Sequence, residues 1–182
     1  AERLGRWVGR RLAFVLGVLF AVLRRAFTLP SRRGPPILES LARQLPRHGF
    51  QVLFGLARGA GFHDPDRFRT AFPWIESVEI DGRSGTREGR LRDLRRVLRQ
   101  VRPEVVLVSR LFDALHAVSE RKLAGEDYRL AVTVLGNEAE YVVDLVRYAP
   151  FVDLCVTDGR LTAALVRHFA GLAAERVATV PG

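Results

Sequence analysis

RPEVVLVSR, Arg102–Arg110, is the stretch that decides the fold. Val105–Val108 is a short β-branched run with no polar alternation, set behind Pro103 and ahead of Ser109-Arg110. Such a run reads as a strand buried on both faces. Helical patterns flank it. Before it, Leu91, Leu94, Val97, Leu98 and Val101 line one face of Thr86–Val101, with Arg90, Arg92, Arg95, Arg96 and Arg99 pointing out. After it comes a helical pattern over Asp113–Leu123. A strand between two helices is a parallel strand in the middle of an α/β sheet. Ligands of such sheets bind beyond the carboxyl ends of the strands, and here that end is Ser109-Arg110.

Outward from this point the alternation repeats. Downstream, Arg129–Val134, Phe151–Thr157 and Arg176–Val180 read as strands, with helices over Glu138–Tyr148 and Leu161–Phe169. Upstream, Ser77–Ile80 and Gln51–Leu56 read as strands, separated by a Gly-, Asp- and Arg-rich loop over Ala57–Phe72. Ile37–His48 has helical spacing, and Gly49 stands where a helix-ending glycine belongs. Ala26–Leu29, closed by Pro30, is the expected first strand, and SRRGPP, Ser31–Pro36, the loop beyond it. The expected fold class is therefore α/β: a Rossmann-like three-layer domain over 26–182 with a mostly parallel sheet.

Residues 1–25 read as a separate unit. Leu4, Val8, Leu12, Val15, Leu19 and Val22 recur at helical spacing, flanked by Arg3, Arg6, Arg10, Arg11, Arg24 and Arg25. The apolar core Leu12–Leu23 would span roughly 18 Å as a helix, short of the ~30 Å hydrocarbon core of a bilayer. The pattern predicts a hydrophobic or amphipathic helix, interfacial at a membrane, packed on protein or, least favoured, a spanning anchor.

The chain carries a net charge of +9, nearly all of it from arginine, with Lys122 the only lysine. That balance points to anionic partners such as phosphorylated ligands or an anionic membrane surface. Nucleic acid is not expected, because no strand face interleaves aromatic residues with arginine. Cys155 is the only cysteine, so no internal disulfide forms, which fits a reducing, cytoplasmic setting. Methionine is absent and the chain ends directly after an apolar run, as expected of a piece of a longer protein.

The common phosphate-binding patterns fail. There is no GxxxxGK, and no GxGxxG follows a strand. His63-Asp64-Pro65-Asp66 lacks further His or Cys and reads as a turn, so no metal and no cofactor are expected. Candidate contacts come from strand ends. Arg32, Arg33 and Gly34 offer guanidinium groups and a helix start for phosphate, or form a solvated basic loop. Ser109 and Arg110 end the central strand. Gly136, Asn137 and Glu138 follow the fifth strand, where Glu138 holds a ligand hydroxyl or caps a helix. His116 reads as a half-buried helix residue and Cys155 as core.

PPILESLARQLPRHGFQVLF, residues 35–54, resembles the first helix and second strand of family-four glycosyltransferases. RPEVVLVSR is similar to their fourth strand, and VTVLGNEAEY, residues 132–141, to their fifth strand and loop. FVDLCVTDGRLTAALVRHFAGLAAERVATVPG, residues 151–182, resembles the stretch that leads into their second domain. The resemblance implies a GT-B architecture of two Rossmann-like domains, with this chain the N-terminal, acceptor-binding one and the donor domain absent. It implies a nucleotide-sugar donor, held mainly by the missing domain, and a glycan or lipid-linked acceptor. Activity would lie at the inner face of the plasma membrane, and the isolated fragment would be inactive. Leu135 stands where the family often has a His, and Asp158 where it often has a Ser. A second expectation follows from Leu135: a non-catalytic Rossmann-like interaction module tethered to a membrane.

Overall fold

The computed structural model describes residues 12–17, 43–57, 66, 69–70, 72–80, 85–109, 111–135 and 139–180. Seven strands form one sheet: β1 (Leu12–Gly17), β2 (Gln51–Ala57), β3 (Ser77–Ile80), β4 (Val105–Ser109), β5 (Arg129–Val134), β6 (Leu154–Thr157) and β7 (Val177–Thr179). Their order is β3-β2-β1-β4-β5-β6-β7, and every pairing is parallel. Four helices alternate with the later strands: α1 (Arg87–Val101), α2 (Phe112–Leu123), α3 (Ala139–Tyr148) and α4 (Arg160–Ala170).

The central strand, Val105–Ser109, lies within RPEVVLVSR as its composition requires, but its neighbour is a surprise. β1 lies inside the stretch expected to be the first helix. Leu12–Gly17 is strand, hydrogen-bonded to β2 on one side and to β4 on the other. The physical reason is that a wholly apolar run fits a buried helix and a doubly buried parallel strand equally well. Periodicity carries no information once every position is apolar, and the two open ladders of β2 and β4 settle the choice. The sheet thus draws on residues placed before the domain by the sequence. Ala26–Leu29, the expected first strand, and the flanks of β1 lie outside the described residues. Among the described residues, no helix is long and apolar enough to cross a membrane.

One face of the sheet holds the main core. Leu53, Ile80, Val106, Val108, Leu130, Val132 and Cys155 form one cluster with Leu91, Leu94 and Leu98 of α1, Ala114, Leu115 and Val118 of α2, Leu145 of α3 and Val166 of α4. The alternate positions Phe54, Leu56, Leu107 and Ala131 are buried too, so the sheet is a covered middle layer. α1 starts on Thr86, whose hydroxyl accepts from the Gly89 N–H at 3.1 Å. It stops at Arg102, held left-handed at φ 47° directly before Pro103, which cannot continue the helix. Only the end of the expected Ile37–His48 helix is described: a 3₁₀ turn, Leu45–His48, closed by Gly49 at φ 81°.

At the amino end of the sheet Asp153 ties three elements. Its carboxylate accepts from Lys122 Nζ at 2.5 Å, at the end of α2, and from the Leu130 N–H at 2.7 Å. Burial alone raises its pKa, but the Lys122 and Leu130 hydrogen bonds, with the charges of Lys122 and Arg129, outweigh burial and hold it below the ordinary value. A depressed folded value means stabilisation that is present above the unfolded pKa of ~3.9 and lost as pH falls through the lower folded value. Urea midpoints followed from pH 5 downward should therefore fall more steeply for the wild type than for Asp153→Asn. Parallel acid limbs would contradict this linkage.

Candidate functional site

The strand order reverses between β1 and β4: the chain runs from β1 outward to β2 and β3, then crosses to β4 on the other side. In open parallel sheets this switch point opens a crevice at the carboxyl ends. The residues at that end are fixed by register: Gly17 lies opposite Ser109, and Ser109 opposite Thr133. Ser109 is 1 % exposed and Thr133 2 %. Neither hydroxyl has a hydrogen-bond partner among the described residues. By strand parity both lie on the face away from α1 and α2, in line with Leu107 and Ala131. A buried hydroxyl left unpaired costs ~1–3 kcal/mol, so two side by side at a switch point mark a place where a further polar group fits.

Thr157, at the end of β6, shows what a satisfied strand-end hydroxyl looks like. It is fully buried and donates to the Ala178 carbonyl at 3.2 Å. Asp158 follows it and accepts from the Thr162 hydroxyl at 2.8 Å, fastening the start of α4. The contrast sets Ser109 and Thr133 apart from ordinary structural hydroxyls in the same sheet.

On the other face of the sheet, the amino ends of α1 and α2 follow β3 and β4 at the same carboxyl end. Asp113, 8 % exposed, accepts from Arg87 Nε and Arg90 Nε, both at 2.9 Å. Arg90 Nη1 also donates to the Gly85 carbonyl at 3.1 Å. Arg90 was expected on the solvent face, but its side chain is tucked against α2, because a buried carboxylate needs cationic partners. Arg92, Arg96 and Arg99 are exposed as expected, while Arg95 reaches Glu120 of α2 at 2.9 Å.

Of the expected contacts, Ser109 is described: it is buried at the carboxyl end of β4. Arg32, Arg33, Gly34, Arg110, Gly136, Asn137 and Glu138 lie outside the described residues. The premise for Arg32, Arg33 and Gly34 changes nonetheless: the first described strand ends at Gly17, so SRRGPP is not the loop directly beyond it. Leu135 is half-buried directly after β5. His116 shares a hydrogen bond of 3.2 Å with the Tyr148 hydroxyl between α2 and α3, a packing contact. Burial pushes the Cys155 thiol up to about 12, which leaves it a core residue without nucleophilic character. No group of three His, Cys, Asp or Glu able to hold a metal occurs among the described residues. Thr133, which lies opposite Ser109 in register, was not among the expected contacts. The signal for Thr133 was a single hydroxyl near the end of an otherwise apolar strand, RLAVTV.

No protein-family model matches the chain, and no curated protein matches it. Solved structures do. The apo form of the lipopolysaccharide outer core galactosyltransferase WaaB aligns at TM-score 0.60 with 11% identity, over 94% of this chain and 45% of its own. HepE from Anabaena, in complex with UDP, aligns at 0.59 with 13% identity, over 94% and 43%. The UDP-GlcNAc 2-epimerase of Methanocaldococcus jannaschii aligns at 0.57 with 14% identity, over 93% and 45%. The chain therefore has the Rossmann-like fold found in GT-B proteins and fits an N-terminal GT-B domain. It spans less than half the length of each of these structures.

Asp113 ties the amino ends of α1 and α2 together. Asp113→Ala leaves Arg90, only 14 % exposed, without its carboxylate, and should cost ~2–4 kcal/mol of stability. Urea unfolding of the two proteins checks this, and a loss below ~0.5 kcal/mol, the scale of an ordinary surface substitution, would refute it.

Proposed function

We propose that the chain is the acceptor-binding half of a GT-B glycosyltransferase, which transfers a sugar from a nucleotide-sugar donor to a glycan or lipid-linked acceptor. The observation that carries the reading is the pair of buried hydroxyls, Ser109 and Thr133, without a partner among the described residues at the switch point of a sheet with this fold. In this reading the two hydroxyls take the hydrogen bonds of one acceptor hydroxyl and fix its orientation toward the donor. Such bonds count for more in a dry crevice than in water, because no solvent competes for them. Arg110 and the Gly136-Asn137-Glu138 loop, directly after β4 and close after β5, complete the acceptor contacts. Arg32, Arg33 and Gly34 supply phosphate contacts from the segment between β1 and β2. The fold likeness to a galactosyltransferase and to a UDP-bound protein supports the donor class.

The donor is held mainly by a second domain, so both halves of the cleft are needed for turnover. Attraction to an anionic membrane on the cytoplasmic side rests on the net charge of +9 and the exposed arginines of α1. Leu135 favours a second reading, a non-catalytic interaction module, because no imidazole stands at that position to act as a base.

The test is the pair Ser109→Ala and Thr133→Val in the full-length protein. Removing an unpaired buried hydroxyl relieves a cost, so the melting temperature should hold or rise. Use of the acceptor should fall about ten- to a hundredfold, the equivalent of one or two hydrogen bonds. Unchanged acceptor kinetics in both variants would remove the hydroxyls from the site. Absence of transfer from any nucleotide sugar by the full-length wild type would favour the interaction module.

A further inference from the structure

A second concave site lies at the opposite end of the sheet. Pro46, Phe50 and Gln51, where the chain enters β2, face Trp74, Ile75 and Glu76, where it enters β3, across an open pocket of about 620 Å³. That volume is within the usual range for small-ligand sites. β2 runs away from it for seven residues, so the pocket sits roughly 20 Å from the carboxyl-end crevice.

Trp74 is the feature that needs explaining. It is 48% exposed, although tryptophan is among the most costly side chains to leave in water. It is also held in place. The Arg43 guanidinium stacks over the ring at 4.5 Å, and Phe72 meets it edge-on at 6.4 Å with an interplanar angle of 83°. The backbone beside it is pinned by the Phe54 N–H donating to the Glu76 carbonyl at 2.9 Å. A fixed aromatic plate with much of its surface open is a preorganised platform. Next to it the Gln51 amide and the Glu76 carboxylate have no side-chain hydrogen-bond partner among the described residues.

The lining carries one carboxylate, Glu76, and the Arg43 guanidinium lies against the Trp74 ring, so the two charges offset each other. A neutral ring with one apolar face and a belt of hydroxyls matches the pocket: the apolar face lies on Trp74, and the hydroxyls reach Gln51 and Glu76. We propose that this pocket is a binding site for neutral pyranose sugars, separate from the carboxyl end of the sheet. The proposal stands on the pocket alone and does not require the chain to be part of a transferase.

The probes are cellotetraose and chitotetraose, both neutral and both presenting flat apolar pyranose faces. Trp7 and Trp74 are the only tryptophans, so Trp7→Phe makes fluorescence a reporter of Trp74 alone. A saturable change in that fluorescence is expected for at least one probe, with half-saturation at roughly 0.1–1 mM, as for a few hydrogen bonds and one stacked ring. Calorimetry should show Trp74→Ala to abolish binding. Glu76→Gln, an exposed substitution that should leave the melting temperature unchanged, should weaken it about tenfold. No saturable response to either sugar up to ~10 mM, some ten times the expected half-saturation, would overturn the proposal. So would wild-type binding in both variants, since the sugar would then sit elsewhere.

Discussion

The two-sided hydrogen bonding of Leu12–Gly17 is the constraint on which the structure depends. β1 is the only strand that bridges the two halves of the sheet, β3-β2 on one side and β4 to β7 on the other. Without it β2 and β4 would each expose a ladder of unpaired N–H and C=O groups at the centre of the molecule. Its position also makes the switch point. The strand order reverses at β1, and the carboxyl-end crevice exists because two crossovers leave this point in opposite directions. The register then decides which side chains meet there. Gly17, Ser109 and Thr133 fall in one row because three parallel strands keep step.

Most of the sheet was legible in the sequence, and the reason is compositional. Ser77–Ile80 and Arg129–Val134 were bounded to the residue, because each is a short apolar-rich run set off by turn or helix patterns. The helices were legible from their one-sided apolar faces and from Thr86 and Gly49 at their ends. β1 was not legible. LAFVLG is as apolar as VVLVS, but it sits within a longer apolar stretch with arginine on both flanks. Local pattern there favours helix, and only the demand of β2 and β4 for partners favours strand. That demand is tertiary and leaves no mark on the local sequence.

For the candidate site, position along a strand can be read, and it places Ser109 at the carboxyl end of β4. Satisfaction of a hydroxyl cannot, since Thr133 and Thr157 look alike in sequence and differ only in what surrounds them. Arg90 makes the same point for charge: six arginines share α1, and a buried carboxylate on the next helix draws Arg90 inward. The two concave regions are then distinguished by chemistry. At the carboxyl end, two buried hydroxyls have no partner among the described residues, and at the amino end a tryptophan stacked by Arg43 stands beside an amide and a carboxylate.

Everything in this account rests on β1 being a strand, and NMR tests that directly. Backbone chemical shifts of Leu12–Gly17 should be of β type, with sequential and cross-strand contacts to Gln51–Gly55 and Val105–Ser109 in the observed parallel register. The amides of this segment should be among the slowest to exchange with solvent, as befits a strand paired on both sides. Helical shifts over the same six residues, or amides that exchange as fast as those of surface loops, would contradict the account.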